Sequence, residues 1–460
     1  MSKEAPVDKT CDFFQRGGQA LLIKGEAGTG KTTFALELLR VHGKGGKGVY
    51  ISTRVSPKKL YSQFKWLEEI VKPEHIISTN YQPDETKFED MRLGDCMVLL
   101  EKIMGAIRAL KTPVMVLDTW DGIVKGMNEE ERIKVEKTLI AMVDSSEAIV
   151  IFVSEEPERT TMDYSVDGVI TLSMEELDGR RIREAEINKL RGTQITQHRH
   201  LFTLKDGRFQ QFELFKPKTP DKLKKFKPIP HNDTYFSTGI KDLDGILGGG
   251  LPRGSYNLLE VGENIPIQAL QFFLAPIKCN FASQGNGVFI VPANGMSTKQ
   301  VKDFIEPYLD GKVFGKSVRI GDYSKDVQDY SISLKGECVR DDFETFWKPI
   351  FDFKSETKEP LLTVLGYDTL EYRYGKDLLA MVAIVGESSS RVRDQKDVRI
   401  NIARPTMNLI HQLRDVSDIH IKLLEINGRI CLCGEKPRTC FYNVMDVSEG
   451  FPQVRLTPIE

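Results

Sequence analysis

The sequence predicts an α/β protein built as two tandem copies of one domain. Three observations predict it: a glycine-rich loop between an apolar run and a helical pattern, a second apolar run ending in an aspartate, and the return of both settings in the second half of the chain. The 460 residues are 40% hydrophobic and 28% charged, a globular balance that excludes general disorder. That length accommodates two domains of about 220 residues, each large enough for a full core.

The first element is LLIKGEAGTGKTTFALELLR, residues 21–40. Residues 21–24 read as a strand, and Phe34, Ala35, Leu38 and Leu39 recur at helical spacing. Between them Gly25, Gly30, Lys31 and Thr32 fit the pattern G-x-x-x-x-G-K-[ST]. Gly25, Gly28 and Gly30 let the backbone turn its N–H groups around phosphate oxygens, and the helix N-terminus adds partial positive charge. Lys31 reaches the β/γ-phosphates, and the Thr32 hydroxyl ligates Mg²⁺. The expected cofactors are therefore ATP and Mg²⁺. The expected binding set is Gly25, Glu26, Ala27, Gly28, Thr29, Gly30, Lys31, Thr32 and Thr33, with Lys31 also catalytic.

The second element is TPVMVLDTWDGI, in which four apolar residues, 114–117, end in Asp118. A continuous apolar run suits a parallel strand buried on both faces. An acid at its end can hold the metal through water, or cap a turn or helix.

The third element is the repeat. GKGVYISTRVSPKKL at Gly46 returns as GNGVFIVPANGMSTKQV at Gly285, Gly25 is matched by Gly262, and Asp118 by Asp368. Where the first copy has Gly30, Lys31 and Thr32, the second has Ile267, Gln268 and Ala269. With no lysine for phosphate and no hydroxyl for metal, a degenerate copy with a structural or regulatory role is expected. The predicted boundaries are 1–213, a linker at 214–230, and 231–460. The linker holds four Pro and six Lys, which stiffen and extend it. It could alternatively touch nucleic acid, but stacking aromatics are limited to Phe215 and Phe226.

Lys plus Arg is 64 and Asp plus Glu 66, a net charge of −2 that argues against a constitutive polyanion binder. Apolar runs such as residues 148–153 fall far short of the ~20 residues of a membrane helix. Residues 1–14 lack a signal-peptide core, so a cytoplasmic location is expected. Cys431, Cys433 and Cys440 could hold a metal, but two thiols two residues apart on a strand also suit a buried sheet face.

Residues 237–255, STGIKDLDGILGGGLPRGS, resemble the opening signature of RecA-superfamily domains of the KaiC and RadA type. Residues 163–207, with KLRGT at 189–193, resemble the end of a KaiC domain. The phosphate-loop region and GVYISTRVS are more similar to the archaeal gas-vesicle regulatory ATPases of the D type. The resemblance implies two tandem RecA-like P-loop NTPase domains, each a mostly parallel sheet with helices on both faces. It also implies homo-oligomers, rings in that family, with nucleotide between subunits. Lys189 and Arg191 match the element that reaches a neighbour's γ-phosphate, a role like that of an arginine finger.

One departure bears on catalysis. The family carries a glutamate pair after the second strand to activate water, where this chain reads Thr53, Arg54, Val55, Ser56, Pro57. An arginine cannot accept a proton. Losing general-base help costs about 10²–10⁴-fold. Slow hydrolysis is expected unless Glu26, Asp121 or Glu155 substitutes, and Glu155 is the candidate catalytic acid. The expected function is a nucleotide-dependent regulatory or switch ATPase with an unidentified protein partner. The alternatives are a DNA-binding RadA-like ATPase and a non-hydrolysing scaffold with bound nucleotide.

Overall fold

A computed structural model describes residues 5–53, 55–78, 93–110, 112–217, 222–293, 295–323 and 328–460. The chain divides into two compact units, Met1–Glu213 with Ile459–Glu460, and Leu214–Pro458.

The strands of the first unit are β1 (Gln19–Lys24), β2 (Gly48–Ser52), β3 (Ile76–Ser78), β4 (Val114–Asp118), β5 (Ile149–Ser154), β6 (Gly168–Leu177), β7 (Arg180–Leu190), β8 (Arg199–Thr203) and β9 (Gln210–Gln211). Its helices are α1 (Pro6–Phe14), α2 (Lys31–His42), α3 (Pro57–Gln63), α4 (Leu93–Leu110), α5 (Trp120–Ile123), α6 (Glu129–Ser146) and α7 (Thr161–Ser165). The sheet order is β3-β2-β4-β5-β1-β6-β7-β8-β9. It is parallel from β3 to β6 and antiparallel beyond. Alternation divides the apolar strands between two cores. Leu21 and Ile23 pack with Phe34 and Leu38 of α2. Ala20 and Leu22 pack with Trp120 and with Leu139 and Val143 of α6.

The strands of the second unit are β10 (Tyr235–Phe236), β11 (Leu251–Pro252), β12 (Tyr256–Val261), β13 (Asn286–Val291), β14 (Val318–Asp322), β15 (Ser331–Ser333), β16 (Lys358–Gly366), β17 (Val398–Ala403), β18 (Ile419–Ile426), β19 (Arg429–Lys436), β20 (Tyr442–Asp446) and β21 (Val454–Pro458). Its helices are α8 (Lys241–Ile246), α9 (Ile267–Ser283), α10 (Thr298–Ile305), α11 (Val313–Ser317), α12 (Val339–Glu356), α13 (Tyr367–Tyr374), α14 (Leu378–Asp394) and α15 (Ile410–Val416). The main sheet runs β15-β14-β13-β16-β17-β12-β18-β19-β20-β21. Its central order repeats that of the first unit, with β12 in the place of β1. Both units are mostly parallel α/β domains of RecA-like outline.

The repeat read from sequence needs adjustment at two points. Asp118 is the last residue of β4, whereas β16 ends at Gly366 and Asp368 lies in the first turn of α13. Tyr50 packs in the α2-side core, but Phe289 packs on the face away from α9. A one-residue slip in a strand reverses every side chain, so matching letters can face opposite ways.

The Pro/Lys-rich segment, from residue 222 on, lies against the second unit. Phe226 is buried and its N–H donates to Tyr308 O at 2.9 Å. Lys224 N donates to Gly450 O at 2.8 Å, and Lys225 Nζ to Leu309 O at 2.6 Å. Its residues 218–221 lie outside the described residues. Among the described residues, no helix is long and apolar enough to cross a membrane.

Candidate functional site: the phosphate loop of the first unit

β1 delivers a buried cation to the base of the loop. Lys24 is 4% exposed, and its ammonium donates to Asp163 Oδ1 at 2.5 Å and to Glu158 O at 3.1 Å. The chain then turns at Gly25, with φ 146°. A Cβ there would lie 2.1 Å from Leu172 O, so only glycine fits. Glu26, Ala27 and Gly28 form an exposed tip. Thr29, nearly buried, folds its hydroxyl onto Glu26 O at 2.8 Å. Gly30, φ 101°, precedes α2, and Phe34 N bonds back to Gly30 O.

Lys31 is the first residue of α2. Its ammonium donates to Gly25 O and Glu26 O, each at 2.7 Å. The next residue, Thr32, donates its hydroxyl to Asp118 Oδ2 at 2.7 Å. Thr33 is buried in the first turn of α2. The structure thus joins the Thr32 hydroxyl to the strand-end acid across 86 residues, with Lys31 beside Thr32 at the start of α2. The donor set fits Mg²⁺, a hard cation that prefers oxygen ligands and commonly takes one carboxylate plus phosphate oxygens. Thr32 and Asp118 would hold it, and the side-chain-free backbone at Gly25 leaves the loop as a cradle for phosphate. When bound, the ion supplies positive charge to the phosphate oxygens.

Two residues at this site escaped the sequence reading. The Tyr50 hydroxyl, from β2, donates to the same Asp118 Oδ2 at 2.6 Å. Burial first, then the charge of Asp118, pushes its pKa well above the ordinary range, so it stays a donor. Arg183 of β7 donates to Gly28 O at 2.9 Å and fastens the loop tip. Burial, then Arg181, lowers its pKa.

The candidate bases are placed differently. Thr53 lies just past β2; its N–H donates to Asp118 O at 2.9 Å, and its hydroxyl oxygen accepts from Thr119 N at 3.1 Å. Arg54 lies outside the described residues. Glu26 is exposed at the tip. Asp121 accepts the Ser154 hydroxyl at 2.9 Å and the Glu155 N–H at 2.5 Å, so it pins the end of β5. Glu155 is half-buried directly after that strand.

Lys189 and Arg191 are not brought to the loop of their own domain. Lys189 pairs with Val169, which pairs with Leu22, two residues before the end of β1. Its ammonium donates to Asp163 O at 3.0 Å and Val166 O at 2.6 Å, capping α7. Burial, followed by Arg191, lowers its pKa. Arg191 is more than half exposed and pairs with Asp167 at 2.9 Å. In the second unit Lys436 caps α15 likewise, through Arg414 O at 2.6 Å and Ser417 O at 3.3 Å.

The corresponding loop of the second unit is one residue shorter. α9 begins at Ile267 with Pro266 as its N-cap, so Ile267 and Gln268 fall at the places of Lys31 and Thr32. Arg404, just beyond β17, donates to Gly262 O at 2.6 Å. Among the described residues, no group of three His, Cys, Asp or Glu could hold a metal ion, and Cys431 and Cys433 are buried on β19.

Comparison with known proteins agrees with this geometry. Residues 11–210 match the family model described as ATPase: KaiC. The first unit is thus similar to KaiC-type ATPase domains over nearly its whole length. Residues 225–318 match the model GvpD basic region 2. The chain is similar to Protein GvpD1 of Halobacterium salinarum, 26% identical over 97% of this chain and 95% of that protein. Protein GvpD2 of the same organism is 25% identical, over 97% and 94%. Circadian clock oscillator protein KaiC 1 of Synechocystis is 24% identical over 52% of this chain and 47% of its own length. The GvpD proteins thus align across both halves, and the KaiC protein across about half. The segment that matches the KaiC model carries the loop with Lys31 and Thr32, and Asp118.

Proposed function

We propose that the protein is a nucleotide-dependent regulatory ATPase. The first domain binds Mg·ATP and turns it over slowly. The second, with no lysine or hydroxyl at its loop, serves a structural or regulatory role. The observation that carries this reading is the hydrogen bond of Thr32 to Asp118 next to Lys31, whose ammonium is folded onto carbonyls of the glycine loop. Lys31 leaves the carbonyls of Gly25 and Glu26 to meet the triphosphate, and Thr32 and Asp118 hold the metal. Slow turnover is supported by the absence of an acid at residues 53–57, with Glu155 left as the candidate catalytic acid. The likeness to KaiC supports homo-oligomeric assembly, in which Lys189 and Arg191 serve a neighbouring subunit's γ-phosphate.

Nucleotide binding and mass measured on wild type and Lys31→Ala test the reading. Wild type binds Mg·ATP and assembles, and the variant loses the nucleotide. Phosphate release faster than about 1 s⁻¹, within the usual enzyme range, overturns slow turnover. Wild type that binds no Mg·ATP overturns the whole proposal.

A further inference from the structure

Asp118 Oδ2 accepts two hydroxyl hydrogen bonds, from Thr32 at 2.7 Å and Tyr50 at 2.6 Å. The two donors have different prospects. Thr32 would also offer a lone pair of its hydroxyl oxygen to the metal, which leaves its O–H free to go on donating to Asp118. Tyr50 is 1% exposed, its ring packed in the α2-side core, and has no such second task. Its strand fixes it as well: Ser52 pairs with Asp118 and Tyr50 with Val116, so Tyr50 and the acid lie on one face two residues apart.

We infer that Tyr50 is a positioning residue for the metal site: together with Thr32 it holds the Asp118 carboxylate in place, and it does so from the core without itself reaching the metal. The second unit supports this independently. On its α9 side, β13 presents Val288 and Ile290, neither with a hydroxyl, and β16 ends in Gly366 rather than an acid. Where the acid is absent, so is the hydroxyl that would hold it.

The inference rests on the proposed function, and the test separates the two. A fluorescent ATP analogue is titrated into the full chain with EDTA and at graded Mg²⁺. Tyr50→Phe keeps the ring, and Tyr50→Met fills the space without it, so at least one variant preserves the core. A hydrogen bond to a charged group supports about a tenfold effect. The expected result is that both variants raise the Mg²⁺ midpoint for nucleotide binding about tenfold and leave the EDTA affinity unchanged. In an Asp118→Asn background the Tyr50→Phe effect should largely disappear. An unchanged Mg²⁺ midpoint overturns the inference, as does an equal loss of affinity with and without Mg²⁺. Wild type that binds no Mg·nucleotide fails the proposed function instead.

Discussion

Replacing Gly25 by alanine isolates the steric requirement of the phosphate loop from its chemistry. Gly25 has φ 146°, and an alanine Cβ would sit 2.1 Å from Leu172 O, a backbone atom of β6 that cannot rotate away. The backbone strain costs about 1–3 kcal/mol. Forcing a methyl against a packed neighbour adds about 1–3 kcal/mol. The first unit should therefore lose roughly 2–6 kcal/mol. Gly28→Ala is the control: its φ is 82°, but no atom lies within 4 Å of the added Cβ, so only the strain applies. Denaturant unfolding can read the difference by tryptophan fluorescence. In a Trp347→Phe background the remaining tryptophans, Trp66 and Trp120, belong to the first unit. Equal destabilisation by the two alanines, within about 0.5 kcal/mol, would refute the claim that Leu172 closes on Gly25.

Lys24→Met should destabilise the first unit by about 3 kcal/mol at pH 7, because it leaves the Asp163 carboxylate without its cation. Burial raises the Asp163 pKa, but hydrogen bonds from Lys24 and Thr160 outweigh it and hold it below its usual value. The pair's contribution is thus present above pH about 4 and fades as pH falls further, and unfolding at pH 7 and 3 reads the change. In the second unit, burial raises the Glu260 pKa, but His420 and Arg414 bring it down to about 2 from 4.5. Glu260→Gln should cost about 3 kcal/mol at pH 7 and almost nothing near pH 2, since a depressed carboxyl stabilises above its unfolded pKa and stops doing so as pH falls through its folded one. Arg191→Ala should leave nucleotide affinity unchanged and cut phosphate release by at least 10³-fold. Mixing it with Lys31→Ala should restore part of the activity if the arginine serves a neighbour, and restored activity is what a mixed-oligomer assay detects.

The legible parts of the site were local. β1, the glycines and the start of α2 follow one another along the chain, so periodicity and spacing locate Lys31 and Thr32. Asp118 was legible because it interrupts an apolar run. Tyr50 was not, because an aromatic in an apolar strand reads as core, and its hydroxyl partner lies 68 residues away. Arg183 meets Gly28 across 155 residues. Lys24 did carry a hint, as a cation ending a buried strand must find a partner, but nothing in sequence points to Asp163. The repeat pointed to a second α/β domain of the same kind while misplacing Asp368, which belongs to a helix, and Phe289, which faces the other way. Letter matches do not carry the parity of a strand.

Asp163 serves two lysines at once. Its carboxylate grips Lys24, the residue before Gly25, while its carbonyl receives Lys189 at the far side of α7. A subunit that drew Lys189 outward would strip a brace from the same short helical turn that tethers the base of its own glycine loop. On the proposed function, lending a cation to a neighbour and gripping the subunit's own triphosphate would thereby become competing demands on a single aspartate, a lever arm five residues long.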